Sequence, residues 1–120
     1  MAIGFVNAVV LDCPDTVALG EFYQRVLGGE LKTDDPDWVT LDCGLGRAHL
    51  AFQPSTDYAP PEFPDPHGSQ QYHLDVQVTD FDAAQAQLIE AGARPIEGQA
   101  FDGFRVFLDP VGHPFCIVHH

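Results

Sequence analysis

At 120 residues the chain is the size of one ordinary domain, and its 45% apolar content is enough to bury a core. A net charge of −13 against five basic residues (Arg25, Lys32, Arg47, Arg94 and Arg105) excludes the positive footprint that nucleic acid or an anionic membrane surface requires. Cys13, Cys43 and Cys116 lack metal-finger spacing, and no leader-like run or bilayer-length apolar stretch is present, which predicts a cytoplasmic chain with reduced thiols.

In chain order, Gly4 to Asp12 is β-branched and apolar, and predicts a strand. Asp15 is placed to cap a helix, with Leu19, Phe22, Tyr23 and Val26 recurring at helical spacing and Gly28-Gly29 ending it. Glu30 to Thr33, Trp38 to Cys43 and Arg47 to Gln53 predict three further strands. Pro54 to Gln71 holds five prolines, Pro54, Pro60, Pro61, Pro64 and Pro66. These argue against helix or central strand, so the stretch reads as a linker packed over a surface.

The order then repeats. Tyr72 to Val78 alternates strictly: Tyr72, Leu74, Val76 and Val78 share one face, His73, Asp75 and Gln77 the other. Asp80 caps a helix through Phe81, Ala84, Leu88 and Ala91, ended by Gly92. Strands follow at Arg94 to Glu97, Gly103 to Leu108 and Pro114 to Val118, with an Asp109-Pro110-Val111-Gly112 turn before the last. Placing Asp15 on Asp80 superimposes Val9 on Leu74, Ala8 on His73 and Val10 on Asp75. The chain is therefore an internal duplication of strand, helix and three strands.

Three motifs carry a resemblance. Asp15 with Glu21-Phe22-Tyr23 and Leu27-Gly28-Gly29-Glu30 looks like one family helix. His73-Leu74-Asp75-Val76 through Asp80 to Gly92-Ala93-Arg94-Pro95 looks like a second strand–helix unit. Phe107-Leu108-Asp109-Pro110-Val111-Gly112-His113-Pro114-Phe115-Cys116 looks like a closing strand. Together they resemble the vicinal oxygen chelate superfamily, which holds glyoxalase I, extradiol dioxygenases, and fosfomycin- and bleomycin-resistance proteins; the Phe-Cys ending is similar to a glyoxalase-like subgroup. The resemblance implies an α+β fold of two tandem βαβββ modules, 1–53 and 72–120, joined by the linker 54–71 within one domain. Their sheets would form an open, cup-shaped mixed sheet with the helices outside and a ligand within, usually in a homodimer.

Catalytic members hold a divalent metal with His and Glu side chains from four strands, and the metal chelates two adjacent substrate oxygens. The resemblance puts those positions at Ala8, Gln53, His73 and Cys116. Ala8 has no donor, Gln53 is a weak neutral one, and Cys116 is a soft ligand suited to zinc or copper(I). His73 and Gln53 are thus the only metal candidates, and no catalytic metal is expected. Trp38 is read as a stacking wall or core plug, Arg105 as an anion contact on an inner face or a partner for a carboxylate, and Asp75 as a partner for His73. With Gln53 and Cys116, these residues make up the expected binding site for a small organic ligand. The leading expectation is a binding protein like the bleomycin-resistance branch. The alternative is a lyase, isomerase or dioxygenase using zinc, nickel, iron or manganese.

Overall fold

The computed structural model describes residues 2–62, 72–98 and 103–119; Phe63, Pro64 and Pro66 of the expected linker lie outside them. The chain divides into two compact units, residues 1–58 and 59–120. Unit one runs β1 (Ala8–Cys13), α1 (Thr16–Leu27), β2 (Glu30–Lys32), β3 (Val39–Asp42) and β4 (His49–Pro54). Unit two runs β5 (Leu74–Gln77), α2 (Phe81–Ala91), β6 (Arg94–Pro95), β7 (Phe104–Leu108) and β8 (Pro114–Val118). The sheet orders are β1-β4-β3-β2 and β5-β8-β7-β6. In each, the first strand lies parallel to the last and the remaining pairs are antiparallel. The α+β class and the repeated βαβββ order are those expected.

Boundaries move where backbone pairing runs out. Residues 4–7 precede β1 rather than extending it, although the Asn7 carbonyl still accepts from His49 N–H at 2.9 Å. At the other end β4 continues into Pro54, a residue assigned to the linker. Proline is tolerated there because it ends the strand, and the next amide, Ser55 N–H, carries the 2.9 Å bond to Cys13 O. Strand β6 is two residues long, with Ile96 N–H adding one bond to Val106 O at 3.2 Å.

Both helices start as the sequence dictates. The Asp15 carboxylate accepts from Ala18 N–H and the Asp80 carboxylate from Ala83 N–H, each at 3.1 Å. Helix α1 buries Leu19, Phe22 and Tyr23. Tyr23 stacks on Phe52 of β4 at 5.9 Å and meets Phe22 edge-on at 4.9 Å. Gly20 brings the helix close: a Cβ there would lie 2.9 Å from Leu31 Cδ1 and 3.2 Å from Val39 Cγ1. In unit two, Phe107 and Phe115 stack across the β7–β8 ladder at 5.7 Å, and Leu88 is the buried residue of α2. Among the described residues, no helix is long and apolar enough to cross a membrane.

The β7–β8 turn is built on a buried carboxylate. Asp109 is fully buried. Its Oδ1 accepts from Val111 N–H at 3.0 Å and from His113 N–H at 2.9 Å. Its own amide donates to His113 O, and Gly112 N–H donates to Asp109 O. Gly112 also touches the start of the connecting segment, since a Cβ there would stand 2.6 Å from Pro60 Cβ.

Asp109→Ala removes the buried carboxylate that accepts from two partly buried amides, and should lower unfolding stability by about 2–4 kcal/mol in urea melts, with Asp109→Asn milder. Gly29→Ala must fit a residue at φ +90° with its Cβ driven into the Asp42 carbonyl oxygen, whereas Gly44 at φ +107° has open space. Gly29→Ala should therefore cost clearly more than the roughly 1 kcal/mol expected of Gly44→Ala in the same melts.

Candidate functional site

Register and alternation assemble one cluster in unit two. The parallel β5–β8 pairing sets Asp75 beside Cys116 and Leu74 beside Phe115. The antiparallel β7–β8 pairing sets Val106 against Cys116 and Arg105 against Ile117. Because side chains alternate, Leu74, Val76, Phe115, Ile117, Arg105 and Phe107 share one face of the sheet. Arg105 identifies it as the helix-facing side: its guanidinium bonds Asp82 Oδ1 and Gln85 Oε1 of α2 at 3.0 Å and lies 5.3 Å over the Phe81 ring. Asp75, Gln77, Cys116, Val118 and Val106 point the other way, with His73 just ahead of β5.

On that second face, His73 Nε2 lies 3.3 Å from Asp75 Oδ1, and the donor atoms of His73, Asp75 and Cys116 all fall within 4.8 Å of one another. Among the described residues this is the one group of three His, Cys, Asp or Glu side chains so placed. The imidazole is 39% and the carboxylate 54% exposed, while Cys116 is 3% exposed. The cluster thus has a wet mouth and a buried sulfur floor. Burial pushes the Cys116 thiol up to about 11, and the Asp75 charge and hydrogen bond add to this. At neutral pH Cys116 is accordingly a neutral S–H donor to Asp75, not a thiolate nucleophile.

Other residues expected at the site are dispersed. Gln53 lies in unit one, where its Nε2 donates to Asp12 Oδ1 at 2.7 Å. Trp38 precedes β3 in unit one and is 45% exposed. Arg105, read as an anion contact on an inner face or as a partner for a carboxylate, takes the second role: it pairs with Asp82 and braces α2 from the opposite side of the sheet from His73. Its position between Phe104 and Val106 looked inward because the strand's pairing partners cannot be read from its sequence.

Register also shifts the module-one counterpart of Cys116. The pairing that sets Asp75 beside Cys116 sets Val10 beside Ala51 in unit one, and Gln53 corresponds to Val118. Module one therefore offers Ala8, Val10 and Ala51 where module two offers His73, Asp75 and Cys116. A hard catalytic metal gripped by His and Glu from four strands does not fit this donor set, because half of the required positions are aliphatic.

Unit one has a different recess. A groove of about 710 Å³ is lined by residues that include Phe5, Val6, Leu45, Asn7, Asp42 and His49. His49 Nδ1 is 3.5 Å from Asp42 Oδ1, which already accepts from Gly44 N–H at 2.9 Å. Phe5, Val6 and Leu45 are largely exposed, so the recess gives a ligand little enclosure.

The family model described as "Glyoxalase-like domain" matches residues 8–118. The comparison with curated proteins gives no match. A glyoxalase/bleomycin resistance protein/dioxygenase family enzyme from Burkholderia phytofirmans PsJN is similar in fold, with TM-score 0.71 and 22% identity, over 94% of this chain and 96% of that one. TnmS3, an antibiotic binding protein from Streptomyces sp. CB03234, is similar with TM-score 0.66 and 22% identity, over 99% and 98%. A glyoxalase-related enzyme from Fulvimarina pelagi is similar with TM-score 0.69 and 16% identity, over 98% and 89%. With nearly its whole length matched by the family model and its two βαβββ units in place, this chain belongs to the glyoxalase-like domain family.

Proposed function

We propose that this protein binds a small organic molecule on the face of the β5–β8–β7 sheet turned away from α2, without hard-metal catalysis. The observation that carries this reading is the asymmetry of the duplicated faces: His73, Asp75 and Cys116 in module two stand opposite Ala8, Val10 and Ala51 in the repeat. A ligand would meet an imidazole, a carboxylate and a thiol donor at one side of an apolar floor made by Val106 and Val118. That is the composition of a recognition site, in which a few polar groups set orientation and apolar contact supplies affinity. The Asp75 carboxylate, in a chain of net charge −13, favours a cationic or hydrogen-bond-donating ligand. The antibiotic-binding role given for TnmS3 is of the same general kind and lends support by analogy of fold.

The test is a thermal-shift screen of metal-stripped protein against cationic and aromatic metabolites and antibiotics. A ligand at about 100 times its Kd should raise Tm by roughly 5 °C or more, and His73→Ala or Asp75→Asn should remove the shift. A broad library without a single stabilising compound would sink the reading, as would turnover of a substrate that depends on manganese or iron(II). The thiol supplies a separate check. In native metal-free protein, alkylation of Cys116 by iodoacetamide should stay slow at neutral pH and rise only as pH approaches about 11; rapid labelling at pH 7 would contradict its role as a protonated donor.

A further inference from the structure

The recess of unit one holds two opposite charges that do not neutralise each other. We propose that it binds a small zwitterion with an apolar body, a free amino acid or dipeptide bearing a large aliphatic or aromatic side chain. Arg47 and Asp42 both line the groove. The Arg47 guanidinium has no ion pair or hydrogen bond among the described residues, in a chain where 18 acidic groups face 5 basic ones. Asp42 turns one oxygen to the protein: Oδ1 accepts from Gly44 N–H at 2.9 Å and faces His49 Nδ1 at 3.5 Å. Its Oδ2 carries no contact among the described residues. The groove is thus balanced in charge but unpaired. A ligand with a carboxylate and an ammonium satisfies both groups, the carboxylate on the planar guanidinium and the ammonium on Oδ2. A lone anion would meet Asp42 and the field of a chain of net charge −13, and a lone cation would meet Arg47. A zwitterion has no net charge to be repelled.

The remaining wall is apolar. Phe5 and Leu45 are almost wholly exposed and Val6 is 67% exposed, so three large apolar side chains stand around one concavity of about 710 Å³. Single exposed apolar residues are ordinary, whereas a group of them rimmed by charge marks a binding surface. The volume falls in the range of small-molecule sites, where apolar contact supplies affinity and a few polar groups fix orientation. His49 adds an independent sign. Its Nδ1 is buried and makes no hydrogen bond, and such orphans are few in folded proteins. The groove is open, so a bound molecule keeps one side in water and the Kd is on the order of 1 mM. This site lies wholly in unit one and does not rest on the ligand proposed for the face carrying His73.

The test is nitrogen–proton correlation NMR of the full chain titrated with leucine, phenylalanine and leucyl-leucine, a readout suited to weak binding and specific to each residue. The expected result is saturable shifts at the amides of Val6, Leu45, Arg47 and His49, with Asp75 and Cys116 unmoved. The tighter of leucine and leucyl-leucine tells the amino acid from the dipeptide. N-acetyl-leucine lacks the ammonium and leucinamide lacks the carboxylate, and each should bind about fivefold or more weakly than leucine. Arg47→Gln should abolish the preference for leucine over leucinamide. Asp42→Asn, which keeps an acceptor for Gly44 N–H, should abolish the preference over N-acetyl-leucine. Each variant should leave the other preference in place, which a merely structural role for these residues would not produce. Absence of saturable shifts, equal binding of N-acetyl-leucine or leucinamide, unchanged preferences in both variants, or shifts confined to Asp75 and Cys116 overturns the proposal.

Discussion

The parallel pairing of β5 on β8 is the constraint on which the site depends. It sets Asp75 beside Cys116 and, through the two-residue period of a strand, brings His73 to the same face. A slip of one residue would turn Cys116 toward α2 and put Phe115 or Ile117 next to the carboxylate. The Asp109 turn fixes the neighbouring register, because its buried carboxylate ties the amides of Val111 and His113 and so sets where β8 starts relative to β7. Val106 is thereby held against Cys116 by a side chain that takes no part in the cluster.

Duplication explains how such a face arises. The same strand order and the same Asp-capped helix occur twice, and the faces that pack on the helices keep an apolar core in both copies: Leu11, Leu50, Phe52 and Leu41 in one, Val76, Ile117, Phe115 and Phe107 in the other, with Arg105 the charged exception. The opposite faces are free of that demand and have diverged. Module one pairs Asp12 with Gln53 and sets Asp42 near His49, while module two gathers His73, Asp75 and Cys116. Packing preserves one side of each sheet and leaves the other to take on function.

How far the sequence revealed this follows the same division. The helices were legible to the residue, since Asp15, Asp80, Gly28 and Gly92 mark their ends by local chemistry alone. Strand β8 was also legible, bounded by a proline and a turn. The polar face of β5 could be read from alternation, and His73 beside Asp75 with it. What alternation cannot supply is the partner strand. Cys116 entered the expected site through the family resemblance alone, and Ala51 rather than Gln53 as its repeat and Arg105 on the helix side both depend on register across gaps of twenty to forty residues. Asp109 is a related case: its turn propensity was visible, but its complete burial depends on the chain that closes over it.

The contact between Gly112 and Pro60 bears on how the two halves could be handled separately. Pro60 rests against a position where any side chain would displace it, so the connector joins the second unit well before its proline-rich portion ends, in line with the division after Tyr58. Anyone wishing to produce the C-terminal half alone should cut ahead of Ala59, because a fragment starting at the sheet itself would leave that docking spot bare.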